Sequence, residues 1–98
     1  MITLTRVYTR PNKTTMWHSA ALNTAAMRAH VQTAYVDTGK LISQSSQMAN
    51  LTYTFTMVWR DQAAFEEYDQ DAMLLPFWEE RDQYNSLVGI TKGPKVFS

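Results

Sequence analysis

The amino-acid sequence predicts a small α+β fold, in which an antiparallel sheet carries helices on one of its faces. Residues 51–59 alternate strictly between large apolar and small side chains, and residues 15–37 repeat apolar side chains at helical spacing. The chain has 98 residues, which suits one domain over residues 1–98, and it contains no cysteine. A core of this size is marginal without support, so the missing disulfides favour a homodimer.

The first strand and the first helix are predicted from residue type and spacing. Residues 2–10 have the period-two pattern and the β-branched composition of a strand, and Pro11 ends it because proline cannot donate to a sheet. Residues 15–37 are rich in alanine, a strong helix former, and are expected to form one helix. Gly39 stands where a left-handed C-terminal cap belongs.

Two further strands follow the first helix. Residues 41–48 are polar on both faces, which is typical of an edge strand. Residues 51–59 predict a central strand with both faces partly covered, because one face is apolar and the other is made of threonine and valine. The apolar face carries Leu51, Tyr53, Phe55, Met57 and Trp59.

The last third of the chain predicts two helical pieces and a strand. Asp61 is a good N-cap for a helix over residues 63–68, and a proline opens a second piece over residues 76–87. Residues 87–92 are expected to form the last strand, and residues 95–98 a short tail. The order is therefore βαββαβ, which predicts a ferredoxin-like antiparallel sheet with the helices on one face.

Composition narrows the classes of partner and cofactor. Nine Lys and Arg balance nine Asp and Glu, so nothing attracts the chain to nucleic acid or to an anionic membrane. No apolar run reaches the roughly 20 residues of a membrane span, and no signal peptide is visible, so a cytoplasmic location is expected. His18 and His30 are about 18 Å apart along a helix and cannot share a metal, so no metal site is expected. The sequence has no cofactor motif, so no cofactor is expected either.

Two segments carry a family resemblance: WRDQAAF over residues 59–65, where a central strand ends in Trp before a polar turn and a helix, and FWEERDQY over residues 77–84. In these segments the chain resembles the dimeric α+β barrel superfamily, which includes antibiotic-biosynthesis-monooxygenase-like and EthD-like proteins. Strand order and length agree over nearly the whole chain. The resemblance implies a homodimer whose two sheets face each other and close a barrel. Because members differ in activity, it implies no single reaction.

Candidate site residues are those that could hold a small molecule. Arg6 lies between Leu4 and Tyr8 on one strand face, where a guanidinium can bind a carboxylate; the alternative is an intramolecular ion pair or a strand end near solvent. His18 could act as a base, although a surface histidine is the simpler interpretation. The aromatic residues and methionines could line an apolar chamber or form plain core. The candidate ligand-binding residues are Arg6, Tyr8, Trp17, His18, Tyr53, Phe55, Met57, Trp59, Phe77 and Trp78.

These observations leave three hypotheses for function. The first is a dimer that binds a small apolar or amphiphilic molecule, such as a fatty or aromatic acid, in a cavity. The second is a cofactor-independent monooxygenase or isomerase acting on a small aromatic or β-dicarbonyl substrate, which requires a base next to the substrate. The third is a structural or regulatory dimer without a ligand. The sequence contains no diagnostic catalytic motif, so it does not decide whether the protein is an enzyme.

Overall fold

The computed structural model describes residues 1–17 and 25–98, and within them it contains an open antiparallel sheet and three helices. The second half of the first helix is a π-helical turn, Gln32–Val36. The elements are β1 (Ile2–Thr9), α1 (Ala25–Val31, continued by that turn), β2 (Leu41–Met48), β3 (Thr52–Trp59), α2 (Gln62–Asp69), α3 (Leu75–Val88), β4 (Thr91–Lys92) and β5 (Val96–Phe97).

The sheet has the strand order β2-β3-β1-β4, and β5 also pairs with β1. Strands β1 and β3 are the two central strands, and they pair along their whole length from Ile2 opposite Trp59 to Thr9 opposite Thr52. The predicted edge position of β2 is confirmed, and a register shift interrupts its pairing between Leu41 and Ser43. This arrangement is compatible with a ferredoxin-like fold.

All three helices pack on the same face of the sheet. That face presents Leu4 from β1 and Met57 and Trp59 from β3, and the helical segments bury Tyr35, Phe65 and Leu74 against them. Trp59 is 0% exposed and Tyr35 1%. The Tyr35 ring meets the Trp59 ring edge-on at 5.8 Å, a favoured aromatic geometry. Burial of large rings from both layers therefore holds the helices to the sheet.

The opposite face of the sheet carries short uncharged side chains. Thr5 pairs with Thr56 and Val7 pairs with Thr54 across the two central strands. The described residues on this face are Thr3, Thr5, Val7, Thr9, Ser43, Ser45, Gln47, Thr52, Thr54, Thr56, Val58, Thr91 and Val96, as the strand registers show. We call this surface the threonine face. It contains no ionisable side chain among these residues, although it is partly open to solvent.

Two local predictions about helix ends are confirmed. Asp61 has extended backbone and its carboxylate accepts a hydrogen bond from the Ala64 N–H at 2.8 Å, so it caps α2 as expected. Gly39 adopts a positive φ of 75° after the first helical segment, and its N–H donates to the Val36 carbonyl. Capping side chains and left-handed glycines are local features, so sequence alone identifies them.

The predicted start of the first helix at residue 15 is wrong. Residues 15–17 lie outside any helix, because the Asn12 side chain accepts hydrogen bonds from the Thr14 and Thr15 N–H groups and holds a turn instead. Residues 18–24, which the same prediction included, lie outside the described residues. Helical structure is described from Ala25 onward.

The prediction for the C-terminal strand is also wrong. Residues 87 and 88 belong to α3, which ends at Gly89 with a positive φ of 82°, and the strand that follows covers only Thr91–Lys92. The expected tail contains β5 instead. Ser98 exchanges two backbone hydrogen bonds with Thr3, of 2.9 and 3.0 Å, which extend this pairing. None of the helices in the described part of the chain is long and apolar enough to cross a membrane.

Candidate functional site

A cleft of about 220 Å³ lies between the helix-covered face of the sheet and helices α2 and α3. Strands β1 and β3 supply its floor, the helices supply its walls, and β4 and the residues after it complete the rim. Its lining combines apolar or aromatic side chains with charged ones. The lining residues are Leu4, Arg6, Phe55, Met57, Phe65, Tyr68, Asp69, Leu75, Trp78, Glu79, Arg81, Asp82, Lys92 and Lys95.

Arg6 is a half-buried cation that the β-pleat of β1 directs to this side of the sheet. It lies opposite Phe55 of β3, and its Nε–H donates a 3.1 Å hydrogen bond to the Gly93 carbonyl. No carboxylate of the described residues forms an ion pair with Arg6. Because an arginine has five N–H donors, most of its donor capacity is left for solvent or a ligand. The geometry therefore shows no intramolecular ion pair for Arg6 within the described residues and leaves its guanidinium open to solvent or a ligand.

Gly93 allows the segment after β4 to approach β1 closely, so that the Gly93 carbonyl can accept the hydrogen bond from Arg6. Its N–H donates to the Val7 carbonyl at 2.8 Å, and a Cβ added to Gly93 would lie 2.7 Å from the same oxygen. Only a residue without a side chain allows this approach. The short contact places the Gly93 carbonyl beside Arg6 and fixes one side of the guanidinium.

A second guanidinium lines the cleft from α3. Arg81 lies over the Tyr8 ring, with its Cζ 5.7 Å from the ring centroid. Its nearest carboxylate is Asp82, whose Oδ1 is 3.4 Å from Arg81 Nη2, while Lys92 Nζ lies 3.3 Å from Asp82 Oδ2. Both contacts are longer than a good charge-assisted hydrogen bond. Asp82 therefore divides its contacts between Arg81 and Lys92 and forms a short ion pair with neither.

The charges of the lining favour an anion. Four cations, Arg6, Arg81, Lys92 and Lys95, face three carboxylates, Asp69, Glu79 and Asp82. Only Lys95 and Asp69 form a short pair, at 2.7 Å. Arg6 is the lining cation without a carboxylate partner among the described residues, so it can attract a negatively charged group, most strongly at low ionic strength.

Two tyrosine side chains lie at or beside this site, Tyr68 in its lining and Tyr8 next to it. The Tyr8 side chain is buried, and its hydroxyl has no hydrogen-bond partner among the described residues. Burial raises the pKa of Tyr68 to about 12, although the nearby Arg81 acts in the opposite direction. Tyr68 therefore remains neutral near pH 7 and can donate a hydrogen bond. An unpaired buried hydroxyl such as that of Tyr8 is costly unless water or a ligand satisfies it.

The cleft also presents flat aromatic surfaces. Phe55 stacks on Tyr8 with ring centroids 6.0 Å apart, and Trp78 meets Tyr68 edge-on at 5.1 Å. Phe65 closes the cleft from α2. Such walls suit a planar apolar body, because aromatic contacts contribute beyond the area they bury.

The structure brings together about half of the residues predicted for ligand binding. Arg6, Phe55, Met57 and Trp78 line the cleft, and Tyr8 lies directly beside it.

The other predicted residues lie elsewhere. Trp59 belongs to the hydrophobic core, and Phe77 packs against it. Trp17 and Tyr53 contact each other at 5.8 Å, beside Arg10 rather than in the cleft. His18 lies outside the described residues.

Sequence reasoning missed the charged residues that α3 and the C-terminal segment contribute to the cleft. Arg81 and Asp82 belong to the charged run over residues 79–82, and both are half-buried and line the cleft. The available signal was spacing, since Arg81 follows Trp78 by three positions and so shares its helix face. Nothing in the local sequence indicated that Lys92 and Lys95 would complete the rim.

A separate polar cluster ties the first helix to the α2–α3 junction. His30 Nε2 lies 2.7 Å from Asp71 Oδ2, and the Tyr35 hydroxyl donates to the same oxygen at 2.5 Å. Burial of the Asp71 carboxyl opposes its ionisation, but these two hydrogen bonds and one from the Met73 N–H outweigh burial and lower its pKa. None of the three side chains lines the cleft. The geometry indicates a structural role for His30.

The described residues contain no group of three His, Cys, Asp or Glu side chains that could hold a metal ion. Comparison with known proteins adds no assignment, because no protein-family model, curated protein or solved structure matches the chain significantly.

Proposed function

We propose that this protein binds a small amphiphilic carboxylic acid in the cleft between the sheet and helices α2 and α3. The observation that carries the proposal is Arg6, a half-buried guanidinium beside Phe55 and without a carboxylate partner among the described residues. A guanidinium in partly apolar surroundings is costly unless an anion or water satisfies it. A ligand carboxylate supplies that anion, and the ligand's apolar body covers the aromatic walls.

The size of the cleft sets the size of the ligand. A volume of about 220 Å³ corresponds to roughly seven water molecules, at about 30 Å³ each. That is sufficient for one ring with a short acidic side chain, and too small to enclose a long fatty acid. For about ten non-hydrogen atoms at about 0.5 kcal/mol each, the expected dissociation constant is roughly 0.2 mM.

The enzymatic alternative has less support. A cofactor-independent oxygenase or isomerase needs a base that is effective near neutral pH and within reach of the substrate. The raised pKa of Tyr68 makes its basic tyrosinate form even rarer near pH 7, and His30 is engaged with Asp71 outside the cleft. The carboxylates of the rim are the remaining bases in the described lining, and those are weak bases. Binding without turnover is therefore the function we favour.

Calorimetric titration tests the binding proposal. The probes are 3-phenylpropanoate and its matched alcohol, 3-phenylpropan-1-ol, and the proteins are the wild type, Arg6→Met and Arg60→Met. We expect the acid to bind the wild type about tenfold more tightly than the alcohol does, because an ion pair in a partly buried site contributes about 1.4 kcal/mol or more. Arg6→Met should remove that difference and leave alcohol binding unchanged.

Arg60→Met is the matched control. Arg60 is exposed, pairs with Asp61 and does not line the cleft, so this variant should bind like the wild type. Equal affinity of the wild type for acid and alcohol, or the same loss in both variants, would contradict the anchor role of Arg6. If neither probe binds the wild type, the binding proposal fails.

We also propose that the chain forms a homodimer through its threonine face, as the resemblance to dimeric α+β barrels implies. The support is that this face carries no ionisable side chain among the described residues, although the chain contains nine Lys and Arg and nine Asp and Glu. Strands β1, β2 and β3 have eight residues each, and β4 and β5 have two each, which gives roughly 440 Å² per chain at about 4.8 Å between strands and 3.3 Å per residue. Two such faces together give roughly 900 Å², an area typical of weak or transient interfaces, so we expect a dimer that dissociates readily.

Sedimentation velocity over a range of protein concentrations tests the dimer. We expect a species of twice the 11.3 kDa chain mass that dissociates on dilution. Thr54→Lys, which places a charge at the centre of the threonine face, should shift the equilibrium to monomer, while Gln44→Lys on the other face of β2 should not. A monomer at all concentrations would overturn the proposal. A dimer that binds neither probe would favour the hypothesis of a structural dimer without a ligand.

A further inference from the structure

Asp82 occupies a position where it competes with the ligand proposed above. Its two carboxylate oxygens face Arg81 at 3.4 Å and Lys92 at 3.3 Å, and all three side chains line the cleft. It is the only described carboxylate that is shared between two of the cleft's cations. The Asp82 side chain is 43% exposed, so water can replace these contacts at little cost.

We infer that Asp82 is a specificity-determining residue, which acts as the resident counter-ion of Arg81 and Lys92 and limits the affinity of the cleft for acids. This inference rests on the proposed function. The ligand carboxylate bound at Arg6 carries the same charge as Asp82 and lies in the same cleft. Two like charges separated by several ångströms in a partly solvated site repel each other measurably. Asp82 therefore makes the cleft selective against multiply charged anions, since each further negative charge is repelled.

Arg81 has hydrogen-bond donors that Asp82 does not satisfy. Its guanidinium lies over the face of Tyr8, which is buried and therefore fixed in place. A cation held by an aromatic ring and by long contacts to one carboxylate keeps donors for an additional acceptor. If Asp82 loses its charge, Arg81 and Lys92 both become available to the ligand without a change in the apolar walls.

The experiment is calorimetric titration of Asp82→Asn and of the matched control Glu80→Gln with 3-phenylpropanoate and 3-phenylpropan-1-ol. Both variants remove one negative charge from α3, but Glu80 is exposed and does not line the cleft. We expect Asp82→Asn to bind the acid about fivefold more tightly than the wild type. The alcohol should change less than twofold, and Glu80→Gln should leave both affinities nearly unchanged. Asp82→Ser, a second variant without the charge, should reproduce the gain for the acid.

The outcomes separate this inference from the proposal on which it rests. If the acid binds the wild type and Arg6→Met abolishes its advantage, but Asp82→Asn does not increase acid affinity, only the role of Asp82 is overturned. An equal gain in Glu80→Gln overturns it as well, because the effect would then be one of net charge. If neither probe binds the wild type or the variants, the proposed function and this inference fail together. Phenylsuccinate, a dianion, should gain more than 3-phenylpropanoate from Asp82→Asn.

Discussion

Replacing Tyr35 by phenylalanine tests the polar cluster that joins the first helix to the α2–α3 junction. The substitution removes one hydroxyl group and keeps the ring, which packs edge-on against Trp59 at 5.8 Å and Tyr68 at 5.4 Å. The lost group is the donor of the 2.5 Å hydrogen bond to Asp71. Asp71 keeps its contact with His30, so its carboxylate is not left unpaired.

The expected loss of stability at pH 7 is about 2 kcal/mol, the typical contribution of a buried hydrogen bond to a charged group. For a domain of this size, that corresponds to a decrease in Tm of roughly 10 °C. The loss depends on pH, because the hydrogen bond from Tyr35 helps to hold the pKa of Asp71 below its usual range against the effect of burial. A depressed pKa stabilises the fold above the unfolded-state pKa, and this contribution disappears as the pH falls through the folded-state pKa.

Urea denaturation between pH 7 and pH 2, followed by circular dichroism and tryptophan fluorescence, measures this difference. We expect the gap between wild type and Tyr35→Phe to be largest at pH 7 and to decrease below about pH 4. Tyr53→Phe is the control, since the Tyr53 hydroxyl forms no hydrogen bond that the structure records within the described residues. A gap that stays constant with pH would refute the coupling to Asp71, and an equal loss in the control would refute the assignment of the hydrogen bond.

Two further predictions concern the sheet. Phe55→Ala should cost about 2 kcal/mol, less than a fully buried phenylalanine because the side chain is half-buried, while Thr54→Ala on the threonine face should cost under about 1 kcal/mol. Denaturant unfolding decides this, and equal losses would mean that the two faces are wrongly assigned. Gly93→Ala should destabilise the fold by about 2 kcal/mol, because its Cβ would lie 2.7 Å from the Val7 oxygen. Gly39→Ala, which meets nothing within 4 Å but has a φ of 75°, should cost only about 1 kcal/mol, and thermal unfolding that reverses this order would contradict the steric argument.

Sequence reasoning identified the sheet because its signals are local. The alternation over residues 51–59 predicts which side chains of β3 lie on the apolar face of the sheet. The register of β3 with β1 places Arg6 opposite Phe55 on that face. The Asp61 cap and Gly39 also depend only on neighbouring residues. These features follow from backbone geometry and require no knowledge of the tertiary fold.

The parts that sequence reasoning missed depend on contacts between distant segments. The strand β5 consists of two residues that pair with β1 across more than 90 positions, so no local pattern indicates it. Arg81 and Asp82 lie in a charged run, and whether such a run faces solvent is decided by how α3 packs on the sheet. The candidate cleft was therefore predictable on its sheet side, where Arg6 and Phe55 lie, and on its helical side at Trp78 but not at the charged residues.

The most direct test of the binding proposal is to locate 3-phenylpropanoate on the protein by nuclear Overhauser effects. Met57 lies in the cleft and Val58, the next residue of β3, lies on the opposite face, so their methyl groups report on the two sides of one strand. We predict contacts from the ligand's ring protons to the Met57 methyl group and the Trp78 indole, and none to Val58. Contacts to Val58, or no contacts to the cleft under conditions where the acid is bound, would contradict the proposal.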